Sequence, residues 1–204
     1  MITYIIIGLT VIISLLAFNY ENLMSKLIFN PYVIDKRNQY YRYITAGFIH
    51  ADMMHLFFNM YALFLFGGIV ENKLFDLFGM NGMWLFAALY FSALIMSATF
   101  SFYKHKENPN YNALGASGAV SAVLFASIII YPTQELMIFP IPFFIPSYIL
   151  GPLYLAYTYY MSNKNLDNIG HDAHFFGALW GVLFIIILWH DALTNFLAQL
   201  PFLQ

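Results

Sequence analysis

The chain has 204 residues and a net charge of −2, and it is 61% hydrophobic, 20% aromatic and only 9% charged. A water-soluble domain carries about a quarter charged residues, so this composition excludes one. The slightly acidic balance argues against nucleic acid as a partner, because phosphate binding needs a basic face. The absence of cysteine excludes disulfides, thiolate nucleophiles and cysteine-bound metal.

Uncharged stretches cover residues 1–20, 53–70, 77–103, 108–134, 136–163 and 173–190. Each approaches or exceeds the roughly 20 residues that a helix needs to cross about 30 Å of hydrocarbon. The pattern predicts an all-α membrane protein. Its six transmembrane helices are expected over about 2–20, 52–74, 81–103, 115–131, 147–161 and 173–189, in a single domain of residues 1–204. Strands are not expected, since these runs lack the two-residue alternation of a membrane barrel.

The first helix has no basic region before Ile2 and no clear small-residue cleavage site, so it reads as a retained helix rather than a signal peptide. The connection over 21–49 interleaves Lys26, Lys36, Arg37 and Arg42 with Leu27, Phe29, Tyr32, Tyr40, Tyr41 and Tyr43. Basic groups beside aromatics suit the lipid–water interface. This loop is expected to lie there, partly structured, with Arg42 tying it down. The second helix carries His50, His55 and Asn59 near its start and Glu71, a structural pairing group, near its end. The third leads into a loop at 104–114 that holds His105.

The fourth helix begins near Gly115 and stops at Tyr131, before Pro132. From Gly118 it rises only about 21 Å, short of a full hydrocarbon core. The uncharged loop 108–114 is therefore expected to dip inward and meet it below the surface, where irregular backbone is tolerated only against protein or water. Pro140, Pro142 and Pro146 precede the fifth helix, and Pro152 near its start is tolerable. The sixth helix carries His174, with His171 and His190 read as interfacial groups. A short apolar tail, 192–204, closes the chain.

Two crossings separate the second helix from the fourth and the fourth from the sixth, so these three run parallel. Their polar groups, His50, His55 and Asn59, then Ser117, then His174, gather toward one membrane face. Ionisable groups at membrane depth mark function, and these types suit acyl transfer. A serine hydroxyl is a weak nucleophile that needs a base, here His174. The Ser117 N–H sits at a helix N-terminus, where unpaired donors favour negative charge. His55 and Asn59, four residues apart, share a face and can donate to an oxyanion. Gly115 and Gly118 flank the serine, and Gly177 and Gly181 follow His174; small residues at such spacing let membrane helices approach closely. Three histidines also suit zinc, but no His-Glu-x-x-His occurs and a serine is not a normal ligand. No metal and no cofactor are expected.

With these residues in order, the sequence resembles the rhomboid family of intramembrane serine proteases. The matching motifs are Tyr41-Arg42, His50…His55…Asn59, Gly67-Gly68…Glu71, Gly115-Ala116-Ser117-Gly118 and Ala173-His174…Gly177…Gly181. The resemblance implies a six-helix rhomboid-like bundle with Ser117 as nucleophile and His174 as general base, a dyad without a third acid. It implies an oxyanion hole of His55, Asn59 and the Ser117 N–H, with His50, Arg42, Glu71 and the four glycines as structural support. The implied partners are transmembrane protein substrates and membrane lipid, with substrate entering past the fifth helix. The minimal form suggests a bacterial inner membrane. The alternative is a non-catalytic rhomboid-like protein that holds membrane clients uncut, and a small transporter is a third reading. Two readings conflict over orientation: seven of the eight basic residues lie in odd-numbered loops, which the positive-inside rule puts at the cytoplasm, whereas the resemblance puts those loops outside. The best-known bacterial members place a tyrosine four residues after the serine, packed on the histidine. Here Ser121 stands at that position, so the resemblance does not say what orients His174.

Overall fold

The computed structural model describes residues 1–137, 143–162, 164 and 170–203. The described elements are α1 (Ile2–Asn19), α2 (Glu21–Leu27), α3 (Pro31–Arg37), α4 (Arg42–Thr45), a 3₁₀ turn at Ala46–Phe48, α5 (Met53–Phe78), α6 (Met80–His105), α7 (Ser117–Ile130), β1 (Glu135–Met137), β2 (Phe144–Pro146), α8 (Ser147–Ser162), α9 (His171–Leu188) and α10 (Ala192–Ala198). Among the described residues α1, α5, α6 and α9 are long and apolar enough to cross a membrane, so the chain is a multi-pass membrane protein. At 14 and 16 residues, α7 and α8 are shorter.

One expectation needs correction. Strands do occur: β1 and β2 pair antiparallel, with Glu135 opposite Pro146. Pro132 follows the end of α7, and Pro146 disfavours helix in the residue before it, so the chain turns back on itself between them. Within the apolar tail α10 folds, and its Asn195 and Gln199 amides donate to the Ile130 carbonyl at the end of α7. Pro140 and Pro142 lie outside the described residues.

The short helix α7 is the centre of the molecule. All of it except Ser117 and Leu124 is buried, against α5, α6 and α9. Its small residues make this possible. A Cβ on Gly177 would collide with the backbone of Gly118, and one on Gly181 with the backbone of Ala122. Both contacts advance by four residues, so α7 and α9 run parallel with their backbones touching. The helix α6 runs the other way, stacking Phe100 on Phe176 at 4.8 Å and accepting the Trp180 Nε1–H on Ser92 Oγ at 2.8 Å.

In lipid there is no hydrophobic drive between helices, so packing and polar contacts hold them. α1 shows this directly. Its buried polar residues Thr3, Thr10 and Ser14 fall on one stripe. Glu71 on α5 accepts the Ile2 N–H at 2.6 Å, the Thr3 N–H at 2.9 Å and the Thr3 hydroxyl at 2.7 Å. A buried carboxylate thus caps the positive end of the α1 dipole. At the other end of α1, Ser14 donates to the Phe48 carbonyl at 2.9 Å.

The first loop is built, not loose. Arg42 is buried, donating through Nε to Gln39 at 2.8 Å and through Nη1 to the carbonyls of Ser25 and Ile28 at 2.9 and 2.7 Å. Asn30 caps α3 by accepting from the Val33 N–H at 2.8 Å, and its amide donates to the Pro109 carbonyl at 3.0 Å. Phe29 and Ala113 exchange backbone bonds, and the Gly115 N–H donates to the Ala46 carbonyl at 2.9 Å. This loop therefore clamps the segment that delivers Ser117.

Candidate active site

Ser117 is the first residue of α7 and is half-buried. The turn before it depends on Gly115, whose φ of 111° lies in the region that side chains avoid. Space adds a second requirement. A Cβ on Gly115 would lie 2.6 Å from His55 Cε1 and 2.8 Å from His55 Nε2. The His55 imidazole therefore lies directly over the turn into Ser117.

The tautomer of His55 follows from its other nitrogen. The Ala51 N–H donates to Nδ1 at 3.4 Å, so the ring proton sits on Nε2, the atom facing Gly115. Asp52 starts α5 by accepting the His55 N–H at 2.8 Å, which fixes the backbone that carries the ring. Asn59, one turn on and buried, donates Nδ2 to the His55 carbonyl at 2.9 Å.

His50 has a different role from His55 although the rings meet edge to face at 4.9 Å. It is fully buried. The Ala116 N–H donates to its Nε2 at 3.4 Å, and its Nδ1 lies 3.0 Å from Ser14 Oγ. Because Ser14 spends its own proton on the Phe48 carbonyl, Nδ1 must be the donor. His50 is then neutral and joins α1 to the residue before Ser117. Burial, reinforced by the neighbouring His55, pushes its pKa down to about 3. Both nitrogens are engaged within the protein, so His50 is a brace rather than a metal ligand.

His174 lies in the first turn of α9, half-buried. The Ala173 carbonyl comes within 3.4 Å of where a Gly118 Cβ would be, and Ser97 on α6 fills the remaining space there. The residues just after Ser117 and just before His174 are thus neighbours. Gly118, Gly177 and Gly181 all lie on this seam. Asp172 points away and forms an ion pair with Lys104 at 3.0 Å. His171, expected at the interface, is buried within the protein, edge-on to Tyr157 at 5.7 Å and to His174 at 6.1 Å. α9 starts two residues earlier than expected, so His171 is its first residue. His190 is exposed beside Asp191, and His105 stacks on Tyr111 at 3.8 Å in the last turn of α6.

One partner of His174 went unread in the sequence. The Tyr154 hydroxyl on α8 lies 3.2 Å from His174 Nδ1. No spacing distinguishes Tyr154 from Tyr148, Tyr157, Tyr159 or Tyr160, so only the packing of α8 on α9 reveals it.

The Rhomboid domain model matches residues 37–191, about three quarters of the chain and nearly all of the site just described. The chain belongs to the rhomboid family. Among its relatives, this rhomboid is 28% identical over 176 residues to the bovine presenilin-associated rhomboid-like protein, mitochondrial, covering 74% of this chain and 43% of the relative. The human protein of that name is 27% identical over the same length. Rhomboid-like protein 11, chloroplastic, of Arabidopsis thaliana is 27% identical over 164 residues, covering 73% of this chain and 52% of the relative. The rhomboid chain spans about half the length of the curated relatives it matches. Their names place them in mitochondria or chloroplasts and give no support to the bacterial inner membrane expected above. What stands is a multi-pass membrane rhomboid.

Proposed function

We propose that this rhomboid is an intramembrane serine endopeptidase that cuts transmembrane segments of other proteins through a Ser117–His174 dyad. It acts as one domain over residues 1–204, with α1, α5, α6, α7, α8 and α9 as six crossings. The observation that carries the reading is the backbone contact of α7 with α9 at Gly118 and Gly177, which brings the turn of Ser117 beside the turn of His174. The His55 ring over Gly115 supplies the second element.

In this reading Ser117 Oγ attacks the scissile carbonyl carbon and its proton passes to His174 Nε2, the nitrogen opposite the one that faces Tyr154. The carbonyl oxygen becomes an oxyanion. It takes donors from His55 Nε2–H, from the Ser117 N–H at the positive end of α7, and from the Asn59 amide, of whose two hydrogens the His55 carbonyl uses one. The C–N bond then breaks, His174 gives its proton to the leaving amine, and water repeats the sequence to release the acyl group. A helical peptide bond is shielded by its own hydrogen bonds, so substrates need a stretch that unwinds, with small residues at the cut. This geometry requires no metal or cofactor.

The test is fluorophosphonate labelling in detergent together with cleavage of a reporter transmembrane segment in liposomes. Both signals should vanish in Ser117→Ala and His174→Ala while the melting temperature stays. Cleavage that survives in folded Ser117→Ala refutes the assignment. A folded wild type that neither labels nor cleaves, but captures the reporter, replaces it with a client-binding role.

A further inference from the structure

The helix α8 meets the rest of the fold along a narrow stripe. Ser147, Gly151 and Thr158 are its buried residues, and Tyr154 falls on the same stripe at helical spacing. Most other side chains of α8 are exposed, including Ile149, Leu153, Tyr157, Tyr159 and Tyr160. Gly151 lets α8 approach α7 near Ile128 and Phe125, and the Tyr154 ring packs on Phe125 at 5.9 Å. Its hydroxyl then reaches His174 Nδ1 at 3.2 Å, and Ser121 on α7 is the other polar side chain beside the Tyr154 hydroxyl. Ser121 lies one turn beyond Ser117. The phenol oxygen thus joins α8 to α9, while the ring packs on α7.

A phenylalanine would fill the ring's volume equally well. A hydroxyl at this depth is costly unless it is hydrogen-bonded, and here its partner is His174, with Ser121 beside it.

Taking the dyad reading as its basis, we propose that Tyr154 is the positioning residue for His174, with Ser121 holding Tyr154 in place. The proton arrangement follows. A base that receives the Ser117 proton on Nε2 must carry its own hydrogen on Nδ1. That Nδ1–H donates to the Tyr154 oxygen, which turns the Tyr154 O–H toward Ser121. Tyr154 thereby selects both the tautomer and the ring angle of His174. It touches no reacting atom, so its effect falls on kcat rather than on substrate binding.

The test uses the full chain in detergent micelles with ¹⁵N-labelled histidine, the His174 signals being assigned by their loss in His174→Ala. In wild type His174 should be a single Nδ1–H tautomer. Tyr154→Phe should mix in the Nε2–H form and lower kcat about tenfold, the worth of one hydrogen bond near 1.4 kcal/mol, with KM and melting temperature unchanged. Ser121→Ala should shift the tautomer in the same direction by less, and it decides the matter if Tyr154→Phe fails to fold. An unchanged tautomer and an unchanged kcat in the variants, with Ser117→Ala still dead, overturns the role of Tyr154 and leaves the protease reading intact. If wild type cleaves nothing, the protease reading fails separately, and the tautomer measurement still decides whether Tyr154 sets the ring.

Discussion

The seam between α7 and α9 can be tested by adding a single methyl group. In Gly177→Ala the new Cβ would run into the Gly118 carbonyl oxygen first, and would also sit 2.8 Å from its carbonyl carbon and 3.1 Å from its Cα. Carbon and oxygen rest about 3.3 Å apart at their closest. The helices must therefore part by roughly 1 Å, because the obstacle is backbone and has no rotamer to change. Overpacking of this kind costs about 1–3 kcal/mol, which at about 2–4 °C per kcal/mol for a chain of this size lowers melting by about 2–12 °C. The larger effect falls on chemistry, since a displacement near 1 Å between reacting groups costs on the order of a hundredfold in rate. The assay is the rate of fluorophosphonate labelling, measured beside a thermal melt. Gly8→Ala on α1 is the control. A Cβ there meets nothing within 4 Å, so it should match or exceed wild type in stability by about 0.5–1 kcal/mol and label normally. Wild-type labelling and melting in Gly177→Ala would refute the claim that the two backbones touch at the site.

Three further outcomes follow from other contacts. Glu71→Gln removes the charge that accepts three donors at the start of α1; melting should fall by the equivalent of about 3 kcal/mol, with labelling of Ser117 retained below the melt. His50 is neutral when folded, its pKa pushed down to about 3 by burial, whereas an unfolded histidine titrates near 6.5. The unfolded state therefore binds more protons between those values, so the contribution of His50 is complete above pH 6.5 and is lost as pH falls toward 3. His50→Asn should be less stable at pH 7 and show a flatter acid limb in a pH series of unfolding. Gly151→Ala on α8 places a Cβ 3.2 Å from Ile128 Cδ1, the movable end of a side chain; it should cost less than about 1 kcal/mol and leave labelling within about threefold of wild type.

Much of this was legible in the sequence because it rests on what a chain must do in lipid. The uncharged runs overlap α1, α5, α6, α7, α8 and α9, whereas α2, α3, α4 and α10 fall outside the expected helices, and crossing parity pointed to the parallel run of α7 and α9 seen at their glycines. Gly118, Gly177 and Gly181 could be read as a seam because only small residues permit backbone contact between membrane helices. The missing parts are of another kind. The hairpin β1–β2 is too short to show alternation. The partners of Glu71 and one partner of His50 are hydroxyls and N–H groups of α1, a helix whose sequence is apolar throughout except for Thr3, Thr10, Ser14 and its final Asn19, and nothing local assigns Thr3 to a carboxylate 68 residues away. Tyr154 is one aromatic among many on a mostly exposed helix. Its role depends on the rotation of α8 about its own axis, which is set by the packing of Gly151 on α7 and not by any local signal.

The two kinds of contact divide the work of the proposed dyad. α7 meets α9 through backbone, without an adaptable side chain between them, so the separation of the Ser117 and His174 turns is rigid. α8 meets both through side chains, Tyr154, Ile128 and Phe125, which can adjust. Rigid spacing suits a nucleophile and base that must stay within hydrogen-bond reach through every step. An adjustable contact suits a ring that must hold its proton on Nδ1 while Nε2 gains and loses one. The consequence is an asymmetry between substitutions of equal size: a methyl at Gly177 acts on the distance and is costly, whereas a methyl at Gly151 acts on a side chain and is absorbed. That asymmetry, not the presence of a serine and a histidine, is what separates a built catalytic seam from a chance pairing of polar residues between helices.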